Sequence, residues 1–295
     1  MKQINCAICG AKQNKKLLYQ ANFDIGKISE KEFSARRLPD NIHYQINKCL
    51  NCGLIFSNPI LPQSQIEKLY KKSRFTYEIE APYAAKTYLH YFQKFLPKLS
   101  KRAKILDIGC GNGFFLAKLY ELGFKNIYGI EPSQEAVQKA TKKIKNRIKL
   151  GVLKENSFPK GFFDLVTSFQ TLDHIVDPNK LLKIIYSLLR KNGASFLILH
   201  DTDGLSVKLF GEKSPIFDIE HVYLFNKTTL ARIFRQAGFS KIKVFNVKNS
   251  YSLSYWLKMA PIPAKKILLN FFLTSKLGKI PLTFPAGNIG IVASK

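Results

Sequence analysis

The sequence predicts an α/β protein built on a doubly wound, mostly parallel sheet, preceded by a small cysteine-bearing module. Three observations carry that expectation. From Lys104 onward, apolar runs of strand length alternate with amphipathic runs of helix length, the pattern of a parallel sheet covered by helices on both faces. The first of these runs, ILDIGCGNGFF (105–115), empties into glycines at alternate positions, a strand, tight loop and helix in succession. Four of the five cysteines lie earlier, in two C-x2-C pairs, CAIC (6–9) and CLNC (49–52).

Residues 1–62 are assigned to the cysteine module, which ends just past Asn58-Pro59. Residues 63–100 read as a helical connector or lid, rich in tyrosine (Tyr70, Tyr77, Tyr83, Tyr88, Tyr91) and closed by Pro97. The sheet domain spans 101–295. Its strands are expected at 104–109, 127–131, 163–169, 194–200, 241–247 and 288–295, with helices at 113–123, 133–145, 178–190 and 227–237. Gly123 and Gly238 fit helix C-termini, and Ser133 fits an N-cap. The strand at 288–295 is expected beside 241–247, which leaves 248–287 as a helical insertion before the last strand. The apolar, lysine-rich part of that insertion suits a helix packed on the body, with peripheral membrane contact through 253–281 as the alternative.

Composition narrows the function classes. The apolar share of 46% supports a real core. No run of about 18 uncharged apolar residues occurs, and Met1 to Gly10 is polar. A soluble, cytoplasmic protein without a transmembrane segment is therefore expected. The net charge is +27, and no Asp or Glu follows Glu220. Such a balance suits anionic partners: a small anionic metabolite, a membrane headgroup or RNA. Lysine outnumbers arginine, which weighs against RNA, where the bidentate guanidinium is favoured.

Glycines at 109, 111 and 113 let a ligand approach the backbone, with the amides of the following helix pointing at it. The third glycine comes one residue earlier than in the dinucleotide fingerprint G-x-G-x-x-G. Asp107 stands two residues before the first glycine, where a buried acid repels a pyrophosphate but holds a cationic amine. Glu131 ends the next strand, at the position where a carboxylate accepts both hydroxyls of a ribose. Asp107, Gly109, Gly111, Gly113 and Glu131 together resemble the S-adenosylmethionine site of class I methyltransferases. The resemblance spans 104 to about 247 and implies a seven-stranded Rossmann-like methyltransferase sheet. FDLVTSFQTLDHIVDP (163–178) resembles the family's fourth strand and following loop, placing backbone near Gln170 beside the cofactor. The third-strand region, 148–158, lacks the Gly-Asp that often meets adenine. Cys110, between the glycines, reads as a small loop-filling residue.

Each C-x2-C pair can set two thiolates on one turn, so Cys6, Cys9, Cys49 and Cys52 can complete a closed, structural tetrahedral Zn2+ shell. Residues 10–48 form a longer excursion between the knuckles than is usual. Disulfides and plain buried cysteines are the alternatives.

Proton removal at neutral pH favours histidine, and the chain has five: His43, His90, His174, His200 and His221. His43 lies in the cysteine excursion and His90 in the connector. His200 ends a strand at the carboxyl edge where such sheets bind ligands. The cysteine module, the sheet, Leu-Asp-His after the fourth strand and Glu-His before the next helix together resemble the zinc-containing sugar C-methyltransferase group. That resemblance implies Glu220 and His221 as the base pair and His174 as a substrate-positioning group. It also implies an enolate formed next to a ketone. Those enzymes carry a large further C-terminal domain, whereas only 248–295 follow here, so a nucleotide-sugar acceptor is not carried over. The expected function is methyl transfer from S-adenosylmethionine to a small-molecule acceptor, such as a sugar or glycan precursor or another anionic metabolite. The alternatives are an rRNA or tRNA methyltransferase with a zinc ribbon, and a non-enzymatic interaction protein. The former is weakened by the absence of an N/D-P-P-F/Y signature.

Overall fold

A computed structural model describes residues 1–24, 33, 41–73, 75–260, 272–273 and 275–295. The expected architecture is present. Seven strands form one sheet in the order β10-β11-β8-β7-β4-β5-β6: β4 (Ile105–Ile108), β5 (Ile127–Glu131), β6 (Ile148–Leu150), β7 (Phe163–Phe169), β8 (Leu189–His200), β10 (Ser240–Ser252) and β11 (Pro281–Ser294). Strands β4 to β8 run parallel, and β11 is antiparallel to both β8 and β10. The central strand β4 is buried at every residue, which is why it reads as an apolar run broken only by the acid Asp107.

Helices connect the strands: α3 (Phe114–Glu121), α4 (Gln134–Gln138), α5 (Lys142–Lys145), α6 (Pro178–Leu188), α7 (Leu205–Phe210) and α8 (Lys227–Gln236). The helix expected over 133–145 is thus two short ones, with Ser133 capping the first by accepting from the Ala136 amide. Helix α6 starts at Asp177-Pro178, whose carboxylate accepts from the Lys180 amide. A capping box between Asn226 and Thr229 fixes the start of α8, a cap that contributes about 1 kcal/mol. Two further helices, α1 (Gln63–Lys72) and α2 (Ala81–Phe95), occupy the tyrosine-rich connector. Helix α2 packs Tyr88, Tyr91 and Phe92 into the core formed by Phe115, Leu119 and Val247.

Two regions depart from expectation. The 248–287 segment is not a helical insertion throughout: β10 continues to Ser252 and β11 begins at Pro281, so the two form a long hairpin-like ribbon. Alternating buried and exposed positions along this ribbon, with no continuous apolar run, hid the extension. Helix α9 (Leu253–Met259) follows β10 directly. Residues 261–271 and Thr274, part of the 253–281 segment expected to contact a membrane, lie outside the described residues. Among the described residues no helix is long and apolar enough to cross a membrane.

The second departure is the module's sheet. It has the order β1-β2-β3-β9, with β1 (Lys15–Tyr19), β2 (Ile46–Cys49), β3 (Ile55–Ser57) and β9 (Tyr223–Leu224). The fourth strand comes from the C-terminal part of the chain, immediately after Glu220-His221. The module is fastened further by Asn179 and Gln236, whose side-chain amides donate to the carbonyls of Ala7 (2.6 Å) and Ile8 (2.8 Å). Its Ile4 and Ile8 share one apolar cluster with Leu181, Ile185, Leu230 and Phe234.

Candidate active site

A cavity of about 950 Å3 runs along the carboxyl edge of the parallel strands. The glycine loop forms one end of it. Gly109, Gly111 and Gly113 all hold positive φ (69°, 56° and 72°), which L-residues adopt only at a cost. At Gly109 space forbids a side chain as well, since a Cβ would sit 2.5 Å from Thr171 Oγ1. Cys110 is buried, and its sulfur fills the space above Gly129, where a Cβ would lie 2.7 Å from it. Its thiol is pushed well up by burial and by the nearby Asp107 and Glu131 charges, so it fills the loop rather than acting as a nucleophile.

Both acids are buried beside the loop. Asp107 accepts from Thr167 Oγ1 at 2.8 Å. Burial pushes its carboxyl up to about 7, against the lowering effect of that hydrogen bond. Glu131 accepts from the amides of Gly111 (2.8 Å) and Ser133 (2.9 Å), and burial raises its carboxyl too. The pair therefore ties the loop to the end of β5. Gln170 also holds a positive φ of 51°. Its amide donates to the Ile198 carbonyl at 2.7 Å, while its Oε1 is buried on the cavity wall with no hydrogen-bond partner. An orphaned buried acceptor next to two acids and a side-chain-free cradle fits a ligand carrying an ammonium, a ribose and donor groups. Gly151, Val152 and Leu153, after β6, line the same end. They supply the wall that the missing Gly-Asp pair left unassigned in the sequence.

Histidines form the other end. His174, His200 and His221 all line the cavity. The His221 ring lies 4.8 Å from that of His174 and 4.5 Å from that of His200, between centroids. Nδ1 of His221 sits 2.7 Å from the Ile216 carbonyl. A carbonyl only accepts, so Nδ1 carries a hydrogen, and in the neutral ring the lone pair is on Nε2. The Glu220 carboxylate borders the same space, and its amide donates to Asp218 Oδ1 at 3.1 Å. The Glu-His segment is held from the module side, where Ser57 donates to the His221 carbonyl at 2.7 Å and β3 pairs with β9.

Two residues at this end, Asp173 and Tyr70, escaped the sequence reading. Asp173 is fully buried, with Oδ2 2.6 Å from His200 Nδ1 and Oδ1 3.7 Å from His174 Nε2. Burial opposes its ionisation, but His200, His174 and His221 hold it well below the usual carboxylate range. His200 becomes its direct partner; the sequence showed only a strand-end histidine. Tyr70 reaches in from α1 and shares a 2.8 Å hydrogen bond with His174 Nδ1. The tyrosine-rich connector was its only signal. His43, by contrast, serves the module, with Nε2 3.1 Å from Glu212 and Nδ1 2.7 Å from the Tyr44 carbonyl.

The four module cysteines come together as their spacing implies. Their sulfurs all lie within 4.8 Å of one another, with Cys6–Cys52 at 3.3 Å and Cys9–Cys49 at 3.4 Å. The two knuckles repeat one geometry. Gly10 and Gly53, both at positive φ, donate to the Cys6 and Cys49 carbonyls at 2.9 Å each, and the Cys6 and Cys49 amides donate to Ala11 and Leu54. Four convergent sulfurs on paired turns suit a tetrahedral thiolate-bound ion.

Comparison with known proteins bears on the family and the fold. Residues 79–244, more than half of the chain, match the family model described as a methyltransferase domain. A tRNA U34 carboxymethyltransferase of Mannheimia succiniciproducens is 30% identical over 153 residues, covering 49% of this chain and 47% of the relative. A ubiquinone biosynthesis O-methyltransferase of Pelagibacter ubique is 32% identical over 101 residues, 33% of this chain and 42% of that one. The chain spans about half the length of the curated relatives it matches. Among solved structures, phosphoethanolamine N-methyltransferase 2 of Haemonchus contortus with S-adenosyl-L-methionine superposes with a TM-score of 0.51 at 17% identity. That alignment covers 86% of this chain and 68% of the other, a likeness of fold.

Proposed function

The chain belongs to the methyltransferase-domain family and carries an S-adenosylmethionine-dependent methyltransferase domain; from that premise we propose that the whole protein methylates a small, anionic acceptor at the histidine end of the cavity. S-adenosylmethionine supplies an electrophilic methyl group. In this reading Asp107 and Gln170 face its amino-acid part, the glycine loop its centre and Glu131 its ribose. The single observation that carries the proposal is the continuity of one cavity from this cradle to His174, His200 and His221.

His221 is the base. Its Nδ1–H is committed to the Ile216 carbonyl, so the Nε2 lone pair accepts the acceptor's proton, with Glu220 beside it. His174, tied to Tyr70, positions the acceptor. Cys6, Cys9, Cys49 and Cys52 hold a structural Zn2+, a closed shell with no position left for substrate. Its part is to keep β3 against β9 and so keep His221 in place. A sugar or glycan precursor fits the acceptor end, which is polar and charged.

RNA is the second reading. It is favoured by the net charge of +27 and by the relative named as a tRNA U34 carboxymethyltransferase. Incubation with methyl-labelled S-adenosylmethionine against nucleotide sugars, lipid-linked glycans and bulk RNA separates the two. Label in a small molecule, lost in His221→Ala, is the expected outcome. Label in RNA, with binding that falls steeply with salt, would replace it.

A further inference from the structure

We propose that Asp173 and His200 are the acid half of an acid/base pair whose base is His221: His200 is held as an imidazolium by Asp173 and donates from Nε2 to the acceptor oxygen on which negative charge develops. The inference rests on the methyl-transfer reading and deepens it by assigning two residues which that reading leaves without a role.

The geometry gives the two rings different partners. His221 faces a neutral backbone carbonyl through Nδ1 at 2.7 Å, a partner that fixes its tautomer without adding negative charge. His200 faces a carboxylate through Nδ1 at 2.6 Å. Asp173 is fully buried and its charge needs a partner. Its second oxygen lies 3.7 Å from His174 Nε2, a longer contact than the one to His200. The ring centroids of His200 and His221 are 4.5 Å apart. With no anion between them, two imidazoliums at that distance repel strongly in a low-dielectric site, so the resting pair carries at most one excess proton, and the carboxylate draws it to His200. Two like groups whose surroundings push them apart are the pattern of an acid and a base.

Other charged groups around His200 do not reverse this assignment. Asp201 follows it just past the end of β8, with its Oδ1 taken by the Asp203 amide. Glu220 and Asp218 line the same cavity from the loop before β9, and both favour a cation at the histidines. From β11 the register neighbour is the uncharged Asn288. Tyr70 acts through His174 and is neutral at working pH, because burial raises its hydroxyl well above its ordinary value.

The proton balance is simple. The acceptor's proton passes to His221 Nε2, the electron pair it leaves is delocalised onto the acceptor oxygen, and that oxygen accepts a hydrogen bond from His200 Nε2–H. His200 keeps its proton, and the negative charge on the acceptor oxygen offsets the second cation formed at His221. As the acceptor atom bonds to the methyl group, the S–CH3 bond breaks and its electron pair leaves with the thioether of S-adenosylhomocysteine. His200 is thus a catalytic residue and Asp173 a positioning one, in the relation of an orienting carboxylate to its histidine.

The test reads protonation directly and needs no acceptor. The ring nitrogens of the full-length protein are observed by 1H–15N correlation across pH 6–9 and assigned with single His→Asn variants. The expected result at neutral pH is His200 protonated on both nitrogens and His221 on Nδ1 alone. In Asp173→Asn the protonation midpoint of His200 falls by about one to three pH units, while His221 keeps its tautomer. A neutral His200, or a cationic His221 beside a neutral His200, in the wild-type protein overturns the proposal. So does a His200 signal that shifts on chelation at constant pH, which would mean an ion shares Asp173. Should Asp173→Asn fail to fold, the wild-type spectrum still decides. Calorimetric titration with S-adenosylhomocysteine on the same sample keeps the two readings apart. Absent binding removes the methyl-transfer reading, whereas binding with a neutral His200 removes only this one.

Discussion

The two ends of the cavity are built in opposite ways. The cofactor end is built around one stretch of chain, β4, the loop at 109–113 and the start of α3, with Glu131, residues 151–153 and Gln170 added from the ends of the neighbouring strands. It works mainly through backbone. The acceptor end is made of side chains from α1, the segment after β7, the tip of β8 and the loop before β9, with the cysteine module bracing that last loop. One end is fixed by strand pairing and glycine geometry, and the other by long-range packing. The two should therefore fail separately.

Loss of the metal should produce the largest effect. Structural zinc contributes on the order of 10–16 kcal/mol in small modules, so chelation or Cys49→Ser should unfold the module and release β9. Thermal unfolding is expected to show a separate, early transition, and turnover to vanish, while S-adenosylhomocysteine binding survives within a few-fold. Equal loss of both would mean that the ends are not separable. His221→Ala should lower the rate by roughly 10²–10⁴ with cofactor affinity unchanged, measured by initial rates and calorimetry. The converse is Gly109→Ala. The strain of a positive φ, about 1–2 kcal/mol, adds to the contact with Thr171 Oγ1. Cofactor affinity is expected to fall by roughly 10–100-fold, with the histidine resonances unmoved.

A smaller effect follows from Asp107, whose carboxyl is pushed up to about 7 from an ordinary 3.8. Across that window the folded, ligand-free protein holds a proton that the unfolded chain has released. Stability from this group therefore declines as pH rises toward 7 and is flat above it. A cationic amine pairs only with the ionised carboxylate. S-adenosylhomocysteine affinity should thus rise about tenfold between pH 6 and 8, and Asp107→Asn should flatten that rise. Ser57→Ala comes last. Removing the hydrogen bond to the His221 carbonyl should cost about 1 kcal/mol, seen as a lowered Tm and a modest loss of rate.

The same contrast explains what could be read from the sequence. Alternate glycines, the acid before them and the acid on the next strand are local signals, and the structure gathers Asp107, Gly109, Gly111 and Glu131 around one cavity end, while Gly113 starts the helix and faces Ile144 and Ile148 instead. The paired C-x2-C turns are local too. The role of Asp173 was not legible, because nothing in Leu-Asp-His says that its carboxylate meets His200 across the sheet edge. Tyr70 looked like one of many tyrosines until α1 placed it on His174. The strand β9 is two residues long, too short to carry a period, and its partner lies in the first 60 residues. Even the extension of β10 and β11 was masked, because an edge ribbon alternates burial and lacks the continuous apolar run of a central strand.

The central claim is that one cavity holds a cofactor cradle at Glu131 and an acceptor site at His221. Titration of S-adenosylhomocysteine into the wild-type, Glu131→Gln and His221→Ala proteins tests it most directly. The account predicts saturable binding by the wild type, at least about tenfold weaker binding by Glu131→Gln, given two lost charge-assisted contacts, and unchanged binding by His221→Ala. Absent binding by the wild type, or equal weakening in both variants, would contradict it.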